Sequence, residues 1–305
     1  MKKYFFSFFV ICMRLLQGRG WGDRVPWLRI LRSVSFVALK PHGIVPAKVG
    51  GMTLFVDARD AGEAGDLLVH GVYSPYETVI FLSLLKSGMV VADIGAHIGY
   101  FTLLAARAVG SAGRVYAFEP DRSNRELLLR SVAASKMSNV VVEMRALSDH
   151  AGEKRLFLDR SNFGNMSFAP ENISIDARAG SVAIETTTID EYFASRPAPQ
   201  VIKIDVQGAE GLVCAGGEQT LKKVSAVLME FWPFGLQNMG TDPCAFLEQL
   251  SRAGFVFYIL QESTRSLKHK KPDQLLSVAH NRPEGKGWTN ILCARAGFLS
   301  THIIC

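Results

Sequence analysis

Cysteine is scarce in this chain and forms no pattern. Cys12, Cys214, Cys244, Cys293 and Cys305 are odd in number and widely scattered, with no Cys-x-x-Cys and no Cys/His cluster at zinc spacing. That excludes a disulfide framework and a structural zinc site, and it fits a reducing compartment. Internal repeats and low-complexity runs are absent too, so neither a solenoid nor a disordered tail is expected. The apolar stretch Tyr4 to Met13 is closed by Arg14, well short of the roughly 20 apolar residues that span a bilayer. No small-x-small cleavage site follows it, which argues against a secretory signal.

What is present suits one large α/β domain with an extension: 305 residues, 48% of them hydrophobic, are enough for a substantial core. The formal charge is +6, and Lys2, Lys3, Arg14, Arg19, Arg24, Arg29 and Arg32 crowd the start, with a second cluster at Lys268-His269-Lys270-Lys271. No RNA-binding module accompanies these charges, so nucleic acid is not the expected partner and a solvated face is the plainer reading. Residues 1–32 can form a basic amphipathic helix weakly associated with a membrane surface, a helix packed on the domain, or an unstructured leader. The expected location is cytoplasmic, either free or peripheral to the inner face of a membrane.

The most informative segment is Met89 to Val109. Met89 to Ile94 has the continuity of a strand buried on both faces, and Tyr100 to Val109 continues as an apolar, alanine-rich helix. Gly95 and Gly99 bracket the turn between them, where glycine allows positive φ and lets a ligand approach the backbone beside a helix N-terminus. The dinucleotide fingerprint needs a second glycine where this chain has His97. Asp93-x-Gly95-Ala96-x-x-Gly99 therefore favours a smaller ligand without phosphates, and His97 argues against a nicotinamide enzyme. About twenty residues on, a second strand from Arg114 ends at Glu119-Pro120, where a carboxylate accepts ribose hydroxyls. The alternative role for Glu119 is to cap the helix beginning near Ser123.

Val91-Ala-Asp93-Ile-Gly95-Ala-His-Ile-Gly99-Tyr100-Phe-Thr, Ala117-Phe-Glu119-Pro120, Asn139 to Asp149, Thr188-Ile-Asp190 and Ile202-Lys-Ile-Asp205-Val-Gln-Gly208-Ala-Glu210 resemble, in order and spacing, the FkbM-type S-adenosylmethionine-dependent methyltransferases. The resemblance spans roughly residues 45 to 296, and its last motif is the most specific. It implies a class I methyltransferase fold: a Rossmann-like, doubly wound, seven-stranded sheet in a three-layer α/β/α arrangement, with strand order 3-2-1-4-5-7-6. It implies O-methylation of a hydroxyl on a small molecule or glycan, with S-adenosylmethionine as cofactor. The boundaries expected are a leader 1–45, a methyltransferase domain 46–296 and a tail 297–305. On this reading Asp93, Gly95, Ala96, His97, Gly99, Tyr100, Glu119 and Pro120 surround the cofactor, Ala146 and Leu147 flank its adenine, and Tyr76 and Glu77 lie near the site.

The remaining pattern is strands at Arg114 to Phe118, Val140 to Arg145, Val201 to Asp205, Ala226 to Glu230, Phe255 to Leu260 and Ile291 to Ala294, mostly separated by helices, as a parallel sheet requires. Lys48 to Asp57 reads as a hairpin before the core. Between Asp149 and Thr188 short β-like pieces flank Ser161 to Ser167, an inserted hairpin whose loop, with Asn165, is a candidate lid or acceptor contact. Period-two alternation puts Lys203 and Asp205 on one strand face, and a buried Lys203 requires a carboxylate or the cleft for its ammonium. Asp205 is the leading candidate for orienting the methionine part of the cofactor or deprotonating a hydroxyl. Glu210 either faces the cleft or caps the next helix. Glu230 and Trp232 end a strand where the resemblance to class I methyltransferases places the acceptor, the alternative for the aromatic rings there being core packing. No spacing demands a metal, and none is expected. A non-catalytic S-adenosylmethionine-binding module and a nucleic-acid methyltransferase are the alternatives.

Overall fold

The computed structural model describes residues 39–299 and the single residue 10. The membrane-surface helix expected within residues 1–32, the rest of the leader up to 38, and residues 300–305 of the tail lie outside the described residues. The chain opens with a hairpin, β1 (Ile44–Val49) and β2 (Met52–Asp57), which turns through Gly50 and Gly51 at positive φ. Two short helices follow, α1 (Ala64–Val69) and α2 (Pro75–Ser83). Pro75 at the first helical position of α2 gives up an N–H that a helix start leaves unpaired in any case. The alternating unit then begins with β3 (Val90–Ile94), α3 (Tyr100–Val109), β4 (Arg114–Phe118), α4 (Arg122–Ala134) and β5 (Val140–Glu143).

The expected inserted hairpin is a small sheet of three strands. β6 (Ala146–Leu147) pairs with β8 (Arg178–Thr187), which in turn pairs with β7 (Gly152–Asp159). α5 (Ile189–Phe193) leads back to the main sheet at β9 (Val201–Ile204), followed by α6 (Glu210–Ala215), α7 (Glu218–Leu221), β10 (Ala226–Phe231), α8 (Pro233–Asn238) and α9 (Pro243–Arg252). The chain closes through β11 (Phe255–Gln261), β12 (Ser266–Lys270), α10 (Pro272–Leu276) and β13 (Thr289–Arg295).

The main sheet has the order β12-β11-β13-β10-β9-β3-β4-β5. β5, β4, β3, β9 and β10 are parallel, and β13 runs antiparallel to both β10 and β11. Counting only the strands of the alternating unit, this is 3-2-1-4-5-7-6, with β12 added at the edge. β12 carries Lys268, His269 and Lys270, and charge on an edge strand discourages pairing with another chain. Strand alternation divides the interior into two clusters. Val91, Val115, Val201 and Leu228 pack toward α2, α3 and the β1–β2 hairpin, while Ala92, Ile202, Ile204, Val227 and Met229 pack toward α5 and α9. The order reverses between β3 and β9, so a crevice opens at their carboxyl ends.

The two turn glycines serve backbone and side-chain packing. Gly95 stands at φ +80, and a Cβ there would overlap the Asp205 carbonyl oxygen, on the segment whose Asp205 N–H donates to the Ile94 carbonyl. Gly99, at φ +96, leaves room for Leu128 of α4. Ligand approach is thus not what excludes a side chain at these two positions. Gly95→Ala is expected to destabilise the protein by about 3 kcal/mol or more through strain and overlap together. Gly43→Ala, at φ +70 with nothing within 4 Å, meets strain alone and is expected to cost only about 1 kcal/mol. Urea denaturation of the pair checks this, and equal losses would refute the role given to the Gly95–Asp205 contact.

Candidate functional site

Two cavities meet at the crevice. The first is lined by Gly95, His97, Glu119, Pro120, Ala146 and Leu147 among others. The second is a larger open cleft whose walls include Glu77, Asn165, Glu230 and Trp232. Asp205, the residue after β9, lines both.

The first cavity is apolar along one side, where Ile94, Phe118, Ala146 and Leu147 face it, and carries Glu119 along another. Glu119 is buried, and its carboxylate accepts the N–H groups of His97 at 2.8 Å and Asp121 at 2.9 Å. Each oxygen keeps a lone pair for a ligand hydroxyl. Helix α4 is capped by Asp121, which accepts from the Asn124 N–H, so Glu119 is not the cap. Burial pushes the Glu119 carboxyl up to about 7 against the opposing charge of His97. The loop between β7 and β8 covers this cavity with Phe163, Met166 and Phe168. It is fastened where the Phe163 N–H donates to Asp60, the Asn124 amide donates to the Phe163 carbonyl, and the Ser167 hydroxyl donates to the Gln207 carbonyl. Asn165 donates to Asp159 at 3.0 Å and also lines the open cleft.

Where the cavities join, the sheet buries a charge. Lys203 is 1% exposed, and its ammonium lies 3.3 Å from Glu77 and 3.4 Å from Asp205, with the Phe101 ring 5.2 Å away. Desolvation disfavours the ammonium, but Glu77, Asp205 and Asp93 together hold its pKa above the usual lysine range. Burial raises the Glu77 carboxyl and lifts Asp93 to about 6 against the hydrogen bond from Thr102. Glu230, at the end of β10, is pushed well above the usual carboxylate range by burial and by the charges of Asp205 and Glu210.

Not every expected site residue reaches a cavity wall. Asp93 is buried beneath the turn beside Lys203, Ala96 packs with Ala117 and Leu128, and Gly99 accommodates Leu128. The Tyr100 hydroxyl lies 3.0 Å from that of Thr78. The Tyr76 N–H donates to Glu262; Tyr73 lines the cleft instead. Glu210 is fully buried, receives the Val206 and Gly208 N–H groups, and has a carboxyl lifted to about 7 by burial. It lines neither cavity and caps no helix, the two roles expected of it, and instead holds the loop after β9. Arg282, Lys286 and Trp288 complete the far wall of the cleft. They sit in a stretch with no chemical motif, and only the aromatic and basic residues interleaved there hint at it. Among the described residues no group of three or more His, Cys, Asp and Glu side chains could hold a metal ion, and no helix is long and apolar enough to cross a membrane.

A family profile described as "Methyltransferase FkbM domain" matches residues 93–257. A curated relative, hexuronic acid methyltransferase AglP from Haloferax volcanii, is 28% identical over 172 residues, 54% of this chain. The chain spans 62% of that relative's length. A solved FkbM methyltransferase from Methylobacillus flagellatus aligns at 16% identity, covering 77% of this chain and 55% of that one, with a TM-score of 0.40. A solved S-adenosylmethionine-dependent O-methyltransferase from Thermotoga maritima aligns at 15% identity, covering 85% and 96%, with a TM-score of 0.41.

The buried acids give the fold a distinctive pH response. Asp93, Glu119 and Glu210 hold folded-state values near 6, 7 and 7, against about 4 in an unfolded chain. The folded protein therefore binds extra protons between roughly pH 4 and 7, and stability falls as pH rises through that window. His97, lifted to about 9, contributes stability that is complete below about pH 6.5 and lost as pH rises through 9. Asp57, Glu143, Asp149 and Asp159, all lowered, act in the opposite sense only below about pH 4. The thermal midpoint of the ligand-free protein is expected to drop by several degrees from pH 5 to pH 9; a flat or rising curve would contradict these shifts.

Proposed function

Because the chain belongs to the FkbM methyltransferase family, we propose that it transfers the methyl group of S-adenosylmethionine to a hydroxyl of a sugar or other polyhydroxylated small molecule. The observation that carries this reading is the position of Asp205, on the walls of both cavities at once. A residue at that junction faces cofactor on one side and acceptor on the other.

The first cavity fits the cofactor. Its apolar side suits an adenine, and Glu119 offers free lone pairs to a ribose diol. When bound, the cofactor supplies an electrophilic methyl group that an acceptor oxygen displaces. The protein's own share is placement and proton removal. Lys203 fixes Asp205 through the 3.4 Å contact. Glu230 stands on the open-cleft wall with its carboxyl pushed up by burial, which makes it a stronger base than an ordinary carboxylate and the general base of this proposal. Asn162, Asn165 and Asn290 supply amides to ring hydroxyls, and Trp232 and Trp288 supply flat apolar faces. The sugar acceptor of the Haloferax volcanii relative supports this class. Tyr73, Glu77 and residues 282–290 of the cleft lie outside the matched residues 93–257.

Methyl transfer from radiolabelled S-adenosylmethionine to a panel of monosaccharides, uronates and glycosides tests the proposal. Label is expected to appear in at least one hydroxylated acceptor. Glu230→Gln is expected to lower kcat about 100-fold or more with affinity for S-adenosylhomocysteine unchanged, whereas Glu119→Ala is expected to weaken that affinity about 10-fold or more. Tight binding without transfer to any acceptor would leave a binding module in place of an enzyme.

A further inference from the structure

Asp205 lines both cavities, yet its side chain is 37% exposed. The torsion that sets the plane of a carboxylate is broad and two-fold, so an aspartate this open to solvent does not by itself keep one orientation. Here both of its oxygens are engaged. Lys203 Nζ lies 3.4 Å from Oδ2, and the Gln207 side-chain amide donates to Oδ1 at 2.9 Å. The lysine contact is long for a hydrogen bond and anchors the charge, whereas 2.9 Å is the usual length of an N–H···O bond, which is directional. Gln207 supplies that bond from an unusual backbone. Its φ is +52, in the left-handed region that side chains other than those of Asn, Asp and His rarely adopt. A glycine takes up such a conformation freely, as Gly208 does at φ +101; a glutamine there holds strain that a glycine would not.

The surrounding chain keeps this backbone in place. The Gln207 carbonyl accepts the Ser167 hydroxyl at 2.8 Å and the Asn172 amide at 2.9 Å, both from the segment between β7 and β8 that covers the first cavity. The N–H groups on either side, of Val206 and Gly208, donate to Glu210. A strained residue over-determined by its neighbours in this way points to a functional demand on its side chain. Resting on the reading of the two cavities above, we propose that Gln207 is a positioning residue for methyl transfer, its amide setting the plane in which the Asp205 carboxylate faces cofactor and acceptor. Gln207 itself lines only the open cleft. Whatever its side chain does for a ligand in the first cavity therefore passes through Asp205.

Calorimetric titration of the full chain with S-adenosylhomocysteine tests this. Gln207→Gly removes the amide and relaxes the backbone, so its thermal midpoint is expected to stay within about 4 °C of wild type while the affinity falls about 5-fold or more. A merely structural residue would show the reverse, a changed midpoint with the affinity kept. Gln207→Glu keeps the length and the backbone of glutamine but has no N–H to donate; it is expected to weaken the ligand at least as much, and it serves should the glycine variant fail to fold. Asp205→Ala leaves no carboxylate to position, so adding Gln207→Gly to it is expected to cause no further loss. Unchanged affinity in both Gln207 variants, or the same loss with and without the Asp205 carboxylate, would overturn the role of Gln207. Wild-type protein that does not bind S-adenosylhomocysteine would instead overturn the cofactor reading, and the role of Gln207 with it.

Discussion

The ammonium of Lys203, enclosed in the sheet between Glu77 and Asp205, is the interaction on which the arrangement of the site depends. A lone buried charge is expensive enough that proteins usually neutralise or pair it. Here pairing reaches across the fold: Glu77 comes from α2, Asp205 from the end of β9, and Asp93 lies opposite Lys203 in the neighbouring strand. The same ion pairs that make Lys203 tolerable inside the sheet therefore fix a carboxylate where both cavities open. Such pairs seldom add much net stability compared with an apolar core, but removing one partner is strongly destabilising. That asymmetry resists loss of any single member.

Around this charge the backbone is closely fitted. Gly95 and the Asp205 carbonyl leave no space for a Cβ between them, so the turn after β3 and the turn after β9 hold each other in register. The first cavity leans on the first turn and the open cleft on the second. Glu210, buried under the loop after β9, receives two of that loop's N–H groups, and Gly208 at φ +101 sits against Gly235. The carboxyl end of the sheet is thus closely fitted in its backbone, while the far wall of the open cleft is contributed by the exposed residues Arg282, Lys286 and Trp288.

Features set by local sequence were legible in it. The strand, turn and helix around Gly95, the acid at the end of β4 and the alternation that pairs Lys203 with Asp205 all follow from short-range spacing along the chain, and the strand order followed from the family resemblance. What spacing could not supply was contact between distant segments. Tyr73 and Tyr76 look alike in the sequence, and only the packing of α2 on the sheet decides which one lines the cleft. Glu63 and His97 are separated by a helix pair and a strand, so their ion pair has no local signature. The glycines illustrate a subtler gap: positive φ was readable, but the neighbours excluding a side chain were Asp205 and Leu128. β12 escaped notice because a lysine-rich edge strand reads as a solvated charge run.

A carboxylate shared by two cavities also has a thermodynamic consequence. Filling either cavity removes water from one side of Asp205 and strengthens every electrostatic interaction it makes on the other. The free energy of occupying the first cavity then depends on whether the second is filled, and by linkage the dependence is equal in both directions. Any two ligands that fill the two cavities are in this sense heterotropic effectors of one another across a single side chain, with no rearrangement of the sheet needed to carry the message.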